Sequence, residues 1–142
     1  MTTAEKVFEI CRRAKAASCA FAALNTKRKN DILTKISEAL IERKDEIVAA
    51  NKRDLDNAEA NGVPAHMLDR LMLNYNRIQG IADALLQLLG LKDPIGSGEQ
   101  TIRPNGLIIR HVRAPMGCVA MIYEARPNVT VDAAALCLKT GN

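Results

Sequence analysis

Through residues 1–92 the apolar positions recur every three or four residues, the period of a helix with one buried face. Val7, Ile10, Cys11, Ala14, Ala17 and Phe21 fall on one such stripe, and Cys19 lies off its edge. Thr2 or Thr3 is placed to cap this helix, with Glu5 and Lys6 in its first turn. Asn25 or Thr26 caps a second helix that turns Leu33, Ile36, Leu40 and Ile47 inward, with Asp31 and Lys35 as an i,i+4 ion pair. The polar segment 51–60 continues this helix until Asn61-Gly62 ends it, and Pro64 starts a new short turn. A further helix is predicted from about Asn76 to Leu89, with Ile78, Ile81, Leu85 and Leu88 inward and Gly90 as its stop.

The pattern then changes. Asp93-Pro94 and Gly96-Ser97-Gly98 read as a flexible loop. The apolar runs Thr101 to Arg103 and Leu107 to Val112 flank Pro104-Asn105-Gly106, and Asn-Gly is a strong hairpin signal. Cys118 to Tyr123 is continuously apolar, as in a strand buried on both faces of a parallel sheet. A loop over 124–128 leads to a helix predicted at Val129 to Lys139, which Thr140-Gly141-Asn142 closes. The expected fold class is α/β: a helical N-terminal region over 1–92, then over 93–142 a hairpin and the first βα unit of a parallel sheet that is incomplete here. A βαβ unit needs a second strand, so the chain is expected to be a piece of a larger α/β protein.

Composition narrows the function. Hydrophobic residues at 48% suffice for a core, but aromatics are only 3% and tryptophan is absent, so the stacking faces that single-stranded nucleic acids require are lacking. The net charge of +4 is interleaved with acids rather than clustered: Arg12, Arg13 and Lys15 share a segment with Glu5 and Glu9, and Lys27, Arg28 and Lys29 precede Asp31, Glu38 and Glu42. No nucleic-acid partner is expected. No apolar run reaches bilayer length and no secretory pattern opens the chain, so no membrane association and a cytoplasmic location are expected.

Four cysteines form no C-x-x-C pair, and His66 and His111 keep no ligand spacing with them, so neither a disulfide framework nor a metal site is expected. Cys137 sits near a helix C-terminus, where the dipole disfavours a thiolate, and reads as a core residue. Cys118 opens the buried strand and reads the same way. Gly96-Ser97-Gly98 lacks the third glycine of a dinucleotide fingerprint, and no phosphate-cradling G-x-x-x-x-G-K-[ST] run occurs.

The run Tyr123-Glu124-Ala125-Arg126-Pro127-Asn128 carries more chemistry. It lies at the carboxyl end of the predicted strand and before a helix N-terminus, where open α/β sheets bind ligands. Helix N-termini offer unpaired N–H donors, and Arg126 adds a fork of donors suited to phosphate or carboxylate. Asn128 either donates to a developing oxyanion or simply caps the helix; Arg126 is either a ligand contact or a surface residue. Glu124 orients a ligand hydroxyl or pairs with Arg126.

The run GCVAMIYEARPNVTVDAAALCLKTGN, Gly117 to Asn142, resembles a segment of the gamma-glutamyl phosphate reductases, also called glutamate-5-semialdehyde dehydrogenases, a branch of the aldehyde dehydrogenase superfamily. Arg103 to Leu107 and Arg113 to Gly117 fit that family's hairpin. Ile47 to Leu55 and Leu68 to Leu71 look like its helical region, so the resemblance covers essentially the whole chain. It implies an aldehyde dehydrogenase-like fold and NADPH-dependent reduction of L-glutamyl 5-phosphate to L-glutamate 5-semialdehyde and phosphate, the second step of proline biosynthesis from glutamate. It also implies a cysteine nucleophile that forms a thioester, and assembly as a homo-oligomer. The family's catalytic cysteine matches none of the four here and is expected beyond residue 142, so the chain alone is expected to be inactive. By the same resemblance Tyr123, Glu124, Ala125 and Arg126 belong to a cofactor-contacting loop for NADPH or NADP, and Asn128 is the candidate oxyanion donor. Counting from the strand side places that donor nearer Arg126. The alternative is a non-catalytic helical interaction or oligomerisation module, with Leu107 to Val112 as an exposed pairing edge.

Overall fold

A computed structural model of the chain describes residues 1–124 and 126–142. Helix α1 spans Thr3–Ala22. Thr2 caps it with a reciprocal box, in which the Glu5 N–H donates to the threonine hydroxyl at 3.2 Å and the Thr2 N–H donates to the Glu5 carboxylate at 2.8 Å. The expected apolar stripe is present but not packed. No residue of α1 is buried, and Phe8 is 71% exposed.

Helix α2 (Thr26–Glu42) is capped by the Asn25 side chain. It ends at Arg43 rather than running on through residue 60, and α3 covers Lys44–Ala60. No Gly or Pro breaks the chain at this point. Asp45 and Glu46 stand in the first turn of α3, where acids favour a helix start, and Arg43 pairs with Glu46 at 2.7 Å. The ion pair on α2 is Lys27–Asp31 at 3.0 Å, in place of the expected Asp31–Lys35. Pro64 precedes α4 (Ala65–Leu71), and Asn74 caps α5 (Tyr75–Gly90).

Helices α2 and α5 pack side by side, and α6 (Pro127–Lys139) lies against both. Leu33, Leu85 and Ala135, one from each helix, form the buried cluster, flanked by Ile36, Leu88, Val131 and Leu138. The Ser37 hydroxyl donates to the Ala82 carbonyl at 3.1 Å within the α2–α5 contact. Two lysines are buried with their charges. Lys29 pairs with Asp93 at 2.9 Å, and the Lys139 ammonium donates to the Asn30 side-chain oxygen at 3.0 Å and to the Leu89 carbonyl at 3.2 Å.

Strands β1 (Gly98–Ile102) and β2 (Ile108–Val112) pair antiparallel, Gly98 opposite Val112 and Ile102 opposite Ile108. Gly106, at φ 84, turns the chain as the Asn-Gly signal predicts. Gly98 belongs to the strand rather than to the loop, since it pairs with Val112, and it is a glycine because a Cβ there would collide with the His111 carbonyl.

The run Cys118 to Tyr123 corrects an expectation. It forms no strand, Cys118 is exposed rather than buried, and Ile122 is 99% exposed. A parallel strand draws its hydrogen bonds from neighbours on either side, and the hairpin does not extend to it. The run is still held at its start: the Asn142 side-chain oxygen accepts the N–H groups of Met116 and Gly117 at 2.6 and 2.9 Å.

Among polar core residues, Asn51 ties α3 to the α4–α5 connection. Its amide donates to the Leu71 carbonyl at 2.8 Å and its oxygen accepts the Leu73 N–H at 2.7 Å. Asn51→Ala strands both backbone groups and is expected to cost about 1–3 kcal/mol. The readout is a lower urea midpoint at unchanged slope; an unmoved midpoint would show that the clamp contributes nothing.

Candidate functional site

Helix α6 begins at Pro127, two residues before the position predicted from sequence. Proline lacks an N–H and its fixed φ suits the first helical position, so Arg126 rather than Asn128 becomes the residue before the helix. The capping reading of Asn128 is therefore set aside. Its amide instead donates to the Asp132 carboxylate one turn on, at 3.1 Å. That contact uses one of two amide hydrogens and orients the group, leaving the second available to an acceptor.

Arg126, Pro127 and Asn128 form one wall of a cleft of about 470 Å³. The opposite wall is the end of α4, the 72–73 connection and the first half of α5. The sequence reading placed Arg126 and Asn128 together at a ligand-facing helix start, and the fold brings both to this cleft. Tyr123 and Glu124 are not among its lining residues. The Tyr123 hydroxyl instead shares a hydrogen bond with the Thr130 hydroxyl, fixing the loop to α6. Glu124 and Arg126 meet through the backbone, where the Arg126 N–H donates to the Glu124 carbonyl at 2.7 Å; among the described residues they form no ion pair. Ala125, the remaining loop residue singled out from sequence, lies outside the described residues.

The far wall holds groups that the sequence reading did not single out as site residues. Arg77 pairs with Asp69 at 2.8 Å and donates to the carbonyls of Asp69 and Met72, the latter at 2.8 Å. It thereby spends its charge on shaping the wall. Arg70 and Asp132 also line the cleft, and among the described residues neither has an oppositely charged partner within 4 Å. Gly80 lines it from the middle of α5. A glycine inside an amphipathic helix was the available signal for this wall, because it weakens the helix without ending it.

Pro127 has no N–H and the Val129 N–H is donated to the Arg126 carbonyl at 3.0 Å, so the Arg126 guanidinium and the Asn128 N–H form the donor set suited to an anionic or carbonyl oxygen. Arg70 and Asp132 give the cleft both signs of charge. Cys11, Cys19 and Cys118 are exposed, Cys137 is half-buried, and none of them lines this cleft. Among the described residues no helix is long and apolar enough to cross a membrane.

No family model matches the chain. Individual relatives do. A gamma-glutamyl phosphate reductase from Anoxybacillus flavithermus is 50% identical over 132 residues, covering 92% of this chain and 32% of the relative. One from Halothermothrix orenii is 48% identical over 143 residues, covering all of this chain and 34% of the relative. Among solved structures, the gamma-glutamyl phosphate reductase of Thermotoga maritima superposes with a TM-score of 0.91 at 40% identity, over 95% of this chain and 33% of that one. The Saccharomyces cerevisiae enzyme gives 0.88 at 29% identity, over all of this chain and 36% of that one. The chain spans about a third of the length of the curated relatives it matches. Its helices and hairpin are those of the N-terminal region of an aldehyde dehydrogenase-like fold. Across its whole length, this chain is similar to one third of a gamma-glutamyl phosphate reductase.

Proposed function

We propose that the chain supplies the opening third of a reductase that converts L-glutamyl 5-phosphate to L-glutamate 5-semialdehyde and phosphate with NADPH. The observation that carries this reading is whole-chain similarity at close to half identity to enzymes of that name. The cleft at the start of α6 agrees with it chemically, since the reaction develops negative charge on an acyl oxygen and Asn128 retains one amide hydrogen for such an acceptor. Asp132 then acts as the positioning residue for Asn128.

NADPH supplies the hydride when bound. Among the described residues Gly96 and Gly98 lead into an antiparallel strand rather than opening a helix, so they do not form a pyrophosphate cradle. The residues that fit one polar end of the cofactor are Arg126 and the first turn of α6. In this reading residues 93–142 open the nucleotide-binding domain. The hairpin, with Ile102, Ile108 and Val112 all exposed, serves homo-oligomer contacts, and the enzyme works in the cytoplasm.

The test is phosphate- and NADP-dependent oxidation of glutamate semialdehyde by the full-length protein that carries this segment. Reduced nucleotide forming only when phosphate is added is the expected result. Its absence across the full range of phosphate and NADP concentrations would overturn the reading. Residues 1–142 alone are expected to give no turnover, because none of their cysteines stands at the cleft.

A further inference from the structure

We infer that the cleft between α4, α5 and the start of α6 receives the amino-acid end of the substrate, Arg70 taking its α-carboxylate, Asp132 its α-ammonium, and Gly80 leaving the room. This rests on the reductase reading and adds to it how the substrate is told apart from other acyl phosphates and aldehydes.

The first support is the charge inventory of the cleft. Arg77 is already matched by Asp69, which leaves Arg70, Arg126 and Asp132 as lining charges with no ion-pair partner within 4 Å among the described residues. A simple anion would meet Asp132 as a like charge. A ligand with a carboxylate and an ammonium on one carbon engages both signs, and Arg126 at the helix start remains for the cofactor. Asp132 is half-buried and gives only one oxygen to Asn128, so the other is left to accept from an ammonium.

The second support is Gly80. It stands inside α5, has no positive φ, and a Cβ built on it would meet nothing within 4 Å. Neither backbone geometry nor packing accounts for it, although glycine weakens a helix interior relative to alanine. Its position on the cleft wall does, since a side chain there would enter the space the substrate needs.

The wall is also set in place before any ligand arrives. Asn51 holds residues 71 and 73, and Arg77 holds 69 and 72, so Arg70 stands between anchored neighbours. Binding then costs little ordering of the backbone.

Three aldehydes test the inference in the full-length protein: glutamate semialdehyde, 5-oxopentanoate (no ammonium) and 4-aminobutanal (no carboxylate). Arg70→Gln is expected to raise KM for glutamate semialdehyde about 10- to 100-fold and to leave 4-aminobutanal unchanged. Asp132→Asn is expected to lower kcat for all three aldehydes through Asn128 and, beyond that, to raise KM for glutamate semialdehyde but not for 5-oxopentanoate. Gly80→Ala is expected to raise that KM while Tm stays or climbs by a few degrees, a combination that damage to the fold would not give. Variants that alter KM for all three aldehydes by one common factor, or for none of them, overturn the inference while the parent protein's activity upholds the reductase reading. A parent protein that turns over no aldehyde overturns both.

Discussion

Replacing Asp93 with asparagine is expected to destabilise the chain by about 3–5 kcal/mol at neutral pH, because it leaves a buried ammonium without a counter-charge. Lys29 is 2% exposed, and Asp93 is the carboxylate it meets, at 2.9 Å. Asparagine preserves the shape but not the charge, and it provides one accepting oxygen where the carboxylate now takes the Lys29 ammonium, the Thr26 hydroxyl at 3.0 Å and the Ile95 N–H at 3.0 Å. Burial alone would push the Asp93 carboxyl up, but the Lys29 ammonium, the Ile95 N–H and the Thr26 hydroxyl outweigh it and hold the group below the usual carboxylate range. A carboxyl with a lower pKa in the folded than in the unfolded chain binds its proton more readily when unfolded. Its stabilisation is therefore complete above the unfolded value of about 3.9 and is lost as pH falls through the lower native value. Urea unfolding of the parent and of Asp93→Asn should show a wide gap at neutral pH that narrows below about pH 4. A gap that does not change with pH would mean that the carboxylate charge is not what holds Lys29.

Leu33→Ala is expected to cost about 2–5 kcal/mol. Leu33 is 0% exposed and sits where α2, α5 and α6 converge, against Leu85 and Ala135. The smaller side chain loses the transfer energy of its missing carbons and leaves a void that three separate helices would have to close together. Leu86, on the same helix as Leu85 but 48% exposed, is the comparison: Leu86→Ala should stay within about 0.5 kcal/mol of the parent. Equal losses at the two positions, read as urea midpoints, would place the core elsewhere.

Much of the fold was legible because its signals are local. Thr2 with Glu5, Asn25 before α2, and Asn105-Gly106 in the hairpin each act within a few residues, and the structure keeps all three. The failures share the opposite property. Cys118 to Tyr123 reads as a buried strand from its side chains, yet a strand exists only with hydrogen-bonding neighbours, which no run of six residues encodes. The stripe on α1 predicts a helix correctly but not what packs against it. The site divides in the same way. Arg126 and Asn128 stand next to a helix start and were legible as a ligand-facing pair. Arg70, Gly80 and Asp132 come from three helices, and only the packing of α4, α5 and α6 makes them one cleft.

The segment between β2 and α6 has a consequence for how the chain responds to proteases. Residues 118–124 carry no regular structure, and Met121, Ile122 and Tyr123 are exposed, which is the geometry that a protease active site accepts. A single cut there would not release α6. Val131, Ala135 and Leu138 stay packed against the Leu33 and Leu85 cluster, Lys139 stays bonded to Asn30 and Leu89, and the Asn142 side chain still grips Met116 and Gly117 on the other side of the break. Contacts thus span the break on both sides, and the natural place to split the chain into complementing fragments is the run that its sequence presents as a core strand.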